Sequence, residues 1–312
     1  MNAEQTRATA ELIMGPQPGT EKQCPLDVEV VEDVDLGSYR RQLLHYRSEP
    51  DQVPVPAYLC VPADASAERP APAALCLHGT NDVVGHGTVV GLGNGNWRGY
   101  ASELAQRGWV TLAPGYPLLA NHQPDILGRG WQSGTAKAIW DNRRGLDLLA
   151  SLDVVRPGPV AAIGHSLGGH NSVFTAVFDE RIGAVVSSCG LDSFVDYMGG
   201  DEAIWQPGEG WTQLRYMPKL ASYRGRLDEI PFDFDDLLGA LAPRPALVIA
   251  PTHDHNFVAD SVDRVVATAR AAYRGAGAPD ALQVWHPDCA HDFPPEVRTK
   301  AYDWLADQLG GN

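Results

Sequence analysis

Hydrophobic and polar positions alternate through the first part of the chain. Residues 28–36, 40–46 and 55–61 each follow a two-residue period that predicts strands, with Gly37-Ser38 turning the first into the second and Pro62 ending the third. The pattern then changes. Residues 73–77 form an uninterrupted apolar run, as expected of a strand buried on both faces of a parallel sheet. Beyond it, apolar runs at 110–113, 160–163, 184–188, 246–250 and 282–286 alternate with stretches of helical period at 100–106, 135–150, 167–178, 262–273 and 296–309. In the fourth of these stretches, Val262, Val265, Val266, Ala269 and Tyr273 fall on one stripe that must face a sheet. Strand and helix alternation with right-handed crossovers predicts a doubly wound, mostly parallel α/β sheet, entered through antiparallel N-terminal strands.

Residues 1–25 read as a short helix or arm followed by a Pro/Gly-rich connection, and residues 26–312 as one α/β domain. The long stretch between Cys189 and Ala246 exceeds an ordinary loop of about 12–15 residues, so an inserted cap is expected over about 191–240. No internal repeat is visible.

The run at 160–163 ends abruptly in Gly164-His165-Ser166-Leu167-Gly168-Gly169, and a helical stretch follows. A strand-to-helix turn of the form Gly-x-Ser-x-Gly holds its serine in strained backbone and points Oγ outward, with glycines where a side chain would collide with the neighbouring chain. The plainer reading of Ser166 is a helix N-cap. Partners elsewhere decide between the two. A serine hydroxyl is a weak nucleophile near neutral pH and needs a base, which needs a carboxylate to fix its tautomer. In an open α/β sheet such groups gather beyond the carboxyl ends of strands. Three such ends carry chemistry: His78-Gly79-Thr80-Asn81, His253-Asp254-His255 and Asp288-Cys289-Ala290-His291-Asp292. His291 as base and Asp254 as acid give the order Ser, acid, His that this turn requires. His286 competes for the base from within its strand, and Asp192, Asp260 and Asp288 compete for the acid. His253 and His255 lack a third ligand at metal-site spacing, so no metal and no cofactor are expected. The backbone amides of Leu167 and Thr80 are the expected oxyanion donors.

Charge and cysteine usage narrow the partners. A formal net charge of −15 and a pI near 5.0 oppose binding to nucleic acid or to anionic membrane surfaces, and fit a neutral or cationic substrate better; the expected partner is a small-molecule ester. The five cysteines are scattered without CxxC spacing and read as reduced thiols of a cytoplasmic protein. Neither a signal peptide nor a bilayer-spanning stretch is recognisable. The N-terminal arm leaves monomer and homodimer both open.

His78-Gly79, the GHSLGG string at 164–169, Asp254 and His291, in this order, resemble the α/β-hydrolase superfamily. AIWDNRRGLDLL, GHSLGGHNSVFTAVFDERI, VVSSCGLDSF, YMPKLASYRG and AHDFPPEV resemble its bacterial dienelactone-hydrolase-like and acetylxylan-esterase-like branch, over residues from about 55 to the C-terminus. Dienelactone hydrolases use a cysteine nucleophile where this chain has Ser166. The resemblance therefore implies a serine carboxylesterase. Amidase or peptidase chemistry on the same triad is the alternative among enzymes, and a non-catalytic small-molecule binder is the alternative outside them. Trp97, Trp131, Trp205, Trp211 and Tyr116 are candidates for the substrate site, since aromatic faces suit sugar or aryl groups. The competing expectation is that at least half of such aromatics form the cap's own core.

Overall fold

The computed structural model describes residues 1–93 and 98–309. Its frame is a nine-stranded sheet in the order β1-β2-β3-β5-β4-β6-β7-β8-β9. The two-residue period produces β1 (Glu29–Asp35), β2 (Tyr39–Tyr46) and β3 (Val55–Pro62), which pair antiparallel, with β3 continuing antiparallel onto β5 (Val110–Pro114). The unbroken apolar runs become β4 (Ala73–Leu77), β6 (Val160–His165), β7 (Ile182–Ser188) and β8 (Ala246–Ile249). Together with β5 and β9 (Leu282–Trp285) these strands pair parallel. Every residue of β4, β5, β6 and β8 is buried, as strands covered on both faces require. The outermost strand β1 is almost wholly exposed, and its Glu29, Glu32, Asp33 and Asp35 deter edge-to-edge pairing.

Two apolar clusters cover the sheet faces. One joins α3 (Gly134–Ala150), α4 (Leu167–Phe178) and α6 (Ala259–Gly275) to the connection between β7 and β8, where the cap is expected; the other joins α2 (Tyr100–Gln106) and α7 (Pro295–Leu309) to the opposite face. The stripe on α6 is buried as its spacing predicts. At the N-terminus the arm is an ordered helix, α1 (Ala3–Met14). A capping box starts it, with Asn2 Oδ1 accepting from the Gln5 amide at 2.9 Å and the Gln5 side chain accepting from the Asn2 amide at 3.1 Å. Ala10, Ile13 and Met14 are buried in the main core, and Arg7 donates to the Val177 carbonyl at 3.1 Å. The arm is therefore part of the domain's packing.

Between β7 and β8 the chain makes a series of 3-10 turns and one short helix, α5 (Phe234–Gly239). Glycines at positive φ, including Gly199, Gly208 and Gly210, turn this segment repeatedly. Aromatic rings hold it down. Phe194 meets Trp205, Phe232 and Phe234, and the last two reach Phe174 of α4. Among the described residues, no helix is long and apolar enough to cross a membrane.

Candidate active site

Ser166 is the single residue between β6 and α4. Its backbone sits at φ 55° and ψ −123°, a conformation that costs about 1–3 kcal/mol and persists only where the surroundings impose it. The surroundings here are backbone. A Cβ on Gly164 would lie 2.1 Å from the Gly168 carbonyl carbon, and one on Gly168 would lie 1.8 Å from the Leu77 carbonyl oxygen. Only glycine lets β4, β6 and α4 approach this closely. Ser166 makes no side-chain cap, so the N-cap reading gives way to an outward-facing hydroxyl.

That hydroxyl meets the other two groups. His291 Nε2 lies 3.0 Å from Ser166 Oγ, and His291 Nδ1 lies 2.8 Å from Asp254 Oδ2. The acid accepts at its other oxygen from the amides of Asn256 at 2.8 Å and Phe257 at 3.2 Å. Burial raises the Asp254 carboxyl, but the hydrogen bond and charge of His291 and these two amides outweigh it and hold the group below its ordinary range. An ionised Asp254 therefore accepts a hydrogen bond from Nδ1–H, which leaves Nε2 with a lone pair facing the serine.

The competing residues lie elsewhere. His286 is held by the Ala250 carbonyl at 2.7 Å and by Asp263 on α6 at 3.1 Å, and Asp288 is exposed beside His253. Asp260 sits in the first turn of α6. Asp192 is buried where the cap begins, and its Oδ2 accepts from the Val258 amide at 3.1 Å. Burial lifts its carboxyl to about 8, and the neighbouring Asp196, Asp233 and Asp254 push in the same direction against that amide.

The two amides expected to face an oxyanion lie after β4 and at the start of α4. The first helical bond of α4 runs from the His170 amide to the Ser166 carbonyl, so the Leu167 amide at the head of the helix has no partner in its own helix. Beyond β4, a Cβ on Gly79 would lie 3.2 Å from the His165 carbonyl and 3.6 Å from Ser166 Cβ, so Thr80 follows directly beside the elbow. His78 locks this approach. Burial holds its imidazole near a pKa of about 4, so the neutral ring donates from Nδ1 to the Gly79 carbonyl at 2.8 Å and accepts at Nε2 from the Tyr116 amide at 2.9 Å. Ser166, Leu167 and Thr80 all open onto one cleft of about 210 Å³.

The aromatic candidates separate. Trp211 lines this cleft. Trp205 does not; it is buried in the cap against Phe194 and Tyr197. Trp131 lies away from the cleft as well, its indole N–H donating to the buried Glu49 at 2.9 Å beside Trp140 and Lys137. Tyr116 stands behind the wall, donating to the Arg215 carbonyl at 2.7 Å with its ring 6.4 Å from that of Tyr216. Trp97 lies outside the described residues. The remaining walls are Tyr197, Gly210, Gln213, Tyr216, Asn256 and Phe257. Asn256 and Phe257 lie two and three residues after Asp254, and that nearness is the one signal in the sequence pointing to them.

Among the described residues, Cys189, Asp254 and His291 bring one donor atom each within 4.8 Å of one another. Two of these three already bond to each other, and His253 bonds to Asp288 rather than to a shared centre. Ser166, His291 and Asp254 are thus joined by hydrogen bonds, with His291 in the middle.

No family model matches the chain. A Bacillus subtilis (strain 168) protein named "Putative hydrolase YtaP" is 26% identical over 260 residues, covering 80% of this chain and 82% of that protein. A glucuronoyl esterase from Solibacter usitatus superposes with a TM-score of 0.75 at 19% identity, over 98% of this chain and 92% of its own. A chain from Bacteroides fragilis NCTC 9343 named as a "putative acetyl xylan esterase (BF1801)" superposes with a TM-score of 0.64 at 20% identity, over 91% and 74%. With its mixed sheet, its serine turn after β6 and these neighbours, the chain has the α/β-hydrolase fold.

Proposed function

We propose that the protein is a serine hydrolase of carboxylic esters, acting through an acyl-enzyme. The carrying observation is the unbroken chain from Ser166 Oγ through both nitrogens of His291 to Asp254, at 3.0 and 2.8 Å. In the first half-reaction the Ser166 hydroxyl proton passes to His291 Nε2 as Oγ bonds to the ester carbonyl carbon. Negative charge then builds on the carbonyl oxygen, against the amides of Leu167 and Thr80 and the positive end of α4. Collapse breaks the bond to the alcohol oxygen, which leaves with the proton from Nε2. Water then gives a proton to the same nitrogen as its oxygen bonds to the acyl carbon; collapse breaks the bond from that carbon to Oγ, which takes the proton back from Nε2 as the acid leaves.

The size and lining of the cleft support short acyl groups. About 210 Å³ lined by Tyr197, Trp211 and Phe257 holds a compact acyl group or one ring, and aromatic faces suit the C–H faces of sugars or an aryl ring. The relatives named for glucuronoyl and acetyl xylan esters point to carbohydrate esters as the natural class. The amide alternative uses the same groups but needs a poorer leaving group protonated, and no contact in the cleft favours it. Hydrolysis of p-nitrophenyl acetate, butyrate and octanoate tests the reading. Activity is expected to fall with chain length, and Ser166→Ala is expected to lose roughly 10⁶-fold in kcat, as removal of a triad nucleophile does. A Ser166→Ala variant as active as the wild type would leave only a ligand-binding pocket.

A further inference from the structure

The hydroxyls of Thr80 and Tyr216 face each other at 2.8 Å across the cleft, one from the loop after β4 and the other from the cap. Both residues line the cleft into which Ser166 and Leu167 open. Neither hydroxyl has another hydrogen-bond partner among the described residues. Two hydroxyls carry two protons, and one hydrogen bond between them uses one. Whichever oxygen donates, one O–H remains to be donated elsewhere.

Tyr216 is held rigidly for such a task. Its carbonyl accepts from the Thr135 amide at 3.3 Å, and its ring meets Trp211 edge-on with centroids 5.3 Å apart. The preceding residue, Arg215, bridges Asp82 at 2.7 Å and offers its carbonyl to Tyr116. The cap is thus tied twice to the three-residue stretch 80–82, once by hydroxyls and once by charges. Burial raises the Tyr216 phenol above its ordinary value, so it keeps its proton through the working pH range.

We propose that the Thr80–Tyr216 hydroxyl pair is a side-chain oxyanion donor, which the cap supplies in part and which acts beside the backbone amides of Leu167 and Thr80. This rests on the serine-esterase reading above. As Ser166 adds to the carbonyl, the spare O–H donates to the developing oxyanion, and on collapse it returns to its resting state with no net proton moved. The cap therefore takes part in the chemistry as well as in substrate choice.

Steady-state kinetics of Thr80→Val, Tyr216→Phe and the double variant on p-nitrophenyl acetate test the pair. Each single variant keeps one hydroxyl with its proton, so each is expected to lose no more than about 10-fold in kcat. The double variant removes the donor, and loss of one oxyanion donor costs about 10²–10³-fold. The effects should therefore be more than additive, with KM changed by less than about 3-fold. Affinity for a trifluoromethyl ketone, whose adduct carries the oxyanion, should fall in step with kcat/KM. Thr80→Ser with Tyr216→Phe returns one hydroxyl and should recover the single-variant rate, which a packing defect would not allow. A double variant within about 3-fold of wild-type kcat, or one that the serine does not rescue, overturns the proposal. If instead the wild type shows no Ser166-dependent turnover, the underlying esterase reading fails, and the two failures are distinguishable.

Discussion

Ser166, Asp254 and His291 stand just beyond β6, β8 and β9, whereas Tyr197, Trp211 and Tyr216 stand on a segment with only 3-10 turns and one six-residue helix. The first group is fixed by ladder hydrogen bonds and by backbone contacts that tolerate no side chain at Gly164 or Gly168. The second is fixed by ring packing and by a few long-range contacts, such as Arg215 with Asp82 and Thr80 with Tyr216. The contrast separates two tasks. Proton transfer between groups about 3 Å apart needs the rigidity of a sheet, while recognition of an acyl or alcohol group needs a surface that individual contacts can shape.

Changes to the floor should alter turnover, and changes to the roof should alter selectivity. The largest effect after loss of the serine belongs to the acid. Asp254→Asn keeps the shape but favours the wrong histidine tautomer, so kcat should fall about 10⁴-fold with KM little changed in steady-state assays. A loss below about 10-fold would show that His291 does not depend on Asp254 for its tautomer. For the roof, Trp211→Ala removes a cleft wall and should raise KM for the favoured short ester by up to about 10-fold. It should also narrow the preference for acetate over octanoate in the same p-nitrophenyl series. An unchanged chain-length profile would remove Trp211 from the substrate site.

The smallest effect probes the seam between floor and roof. Asp192 has a folded-state pKa of about 8, above the ordinary carboxylate value of an unfolded chain, so the unfolded state loses its proton first as pH rises. Stability should then fall between about pH 4 and pH 8, because the folded state binds more protons across that window. Asp192→Asn keeps an acceptor for the Val258 amide and removes the titration. Thermal unfolding should show it gaining several degrees more at pH 8 than at pH 5. An equal gain at both values would mean that Asp192 is already ionised in the folded state.

The same division governs what could be read from the chain itself. Strands and helices of the sheet were legible because their periods are set by burial on one or two faces, and the nine strands fall where the patterns place them. The serine turn was legible because its glycines answer to steric contacts local in sequence. The roof was not. Nothing in the spacing of Trp131, Trp205 and Trp211 tells which of three buried indoles faces the cleft, since that depends on where irregular turns bring them. Tyr216 and Thr80 lie 136 residues apart, and a single hydrogen bond joins them. N-terminal residues offered a similar ambiguity, resolved when the amphipathic face of α1 found the core beside α3, α4 and α5.

Whether Ser166 is a nucleophile activated by His291 is decided by intact-mass analysis after treatment with a fluorophosphonate. One covalent adduct per wild-type chain is expected, located on the peptide carrying Ser166 and absent in both Ser166→Ala and His291→Ala. An unlabelled wild type, or the same adduct in Ser166→Ala, would contradict that role.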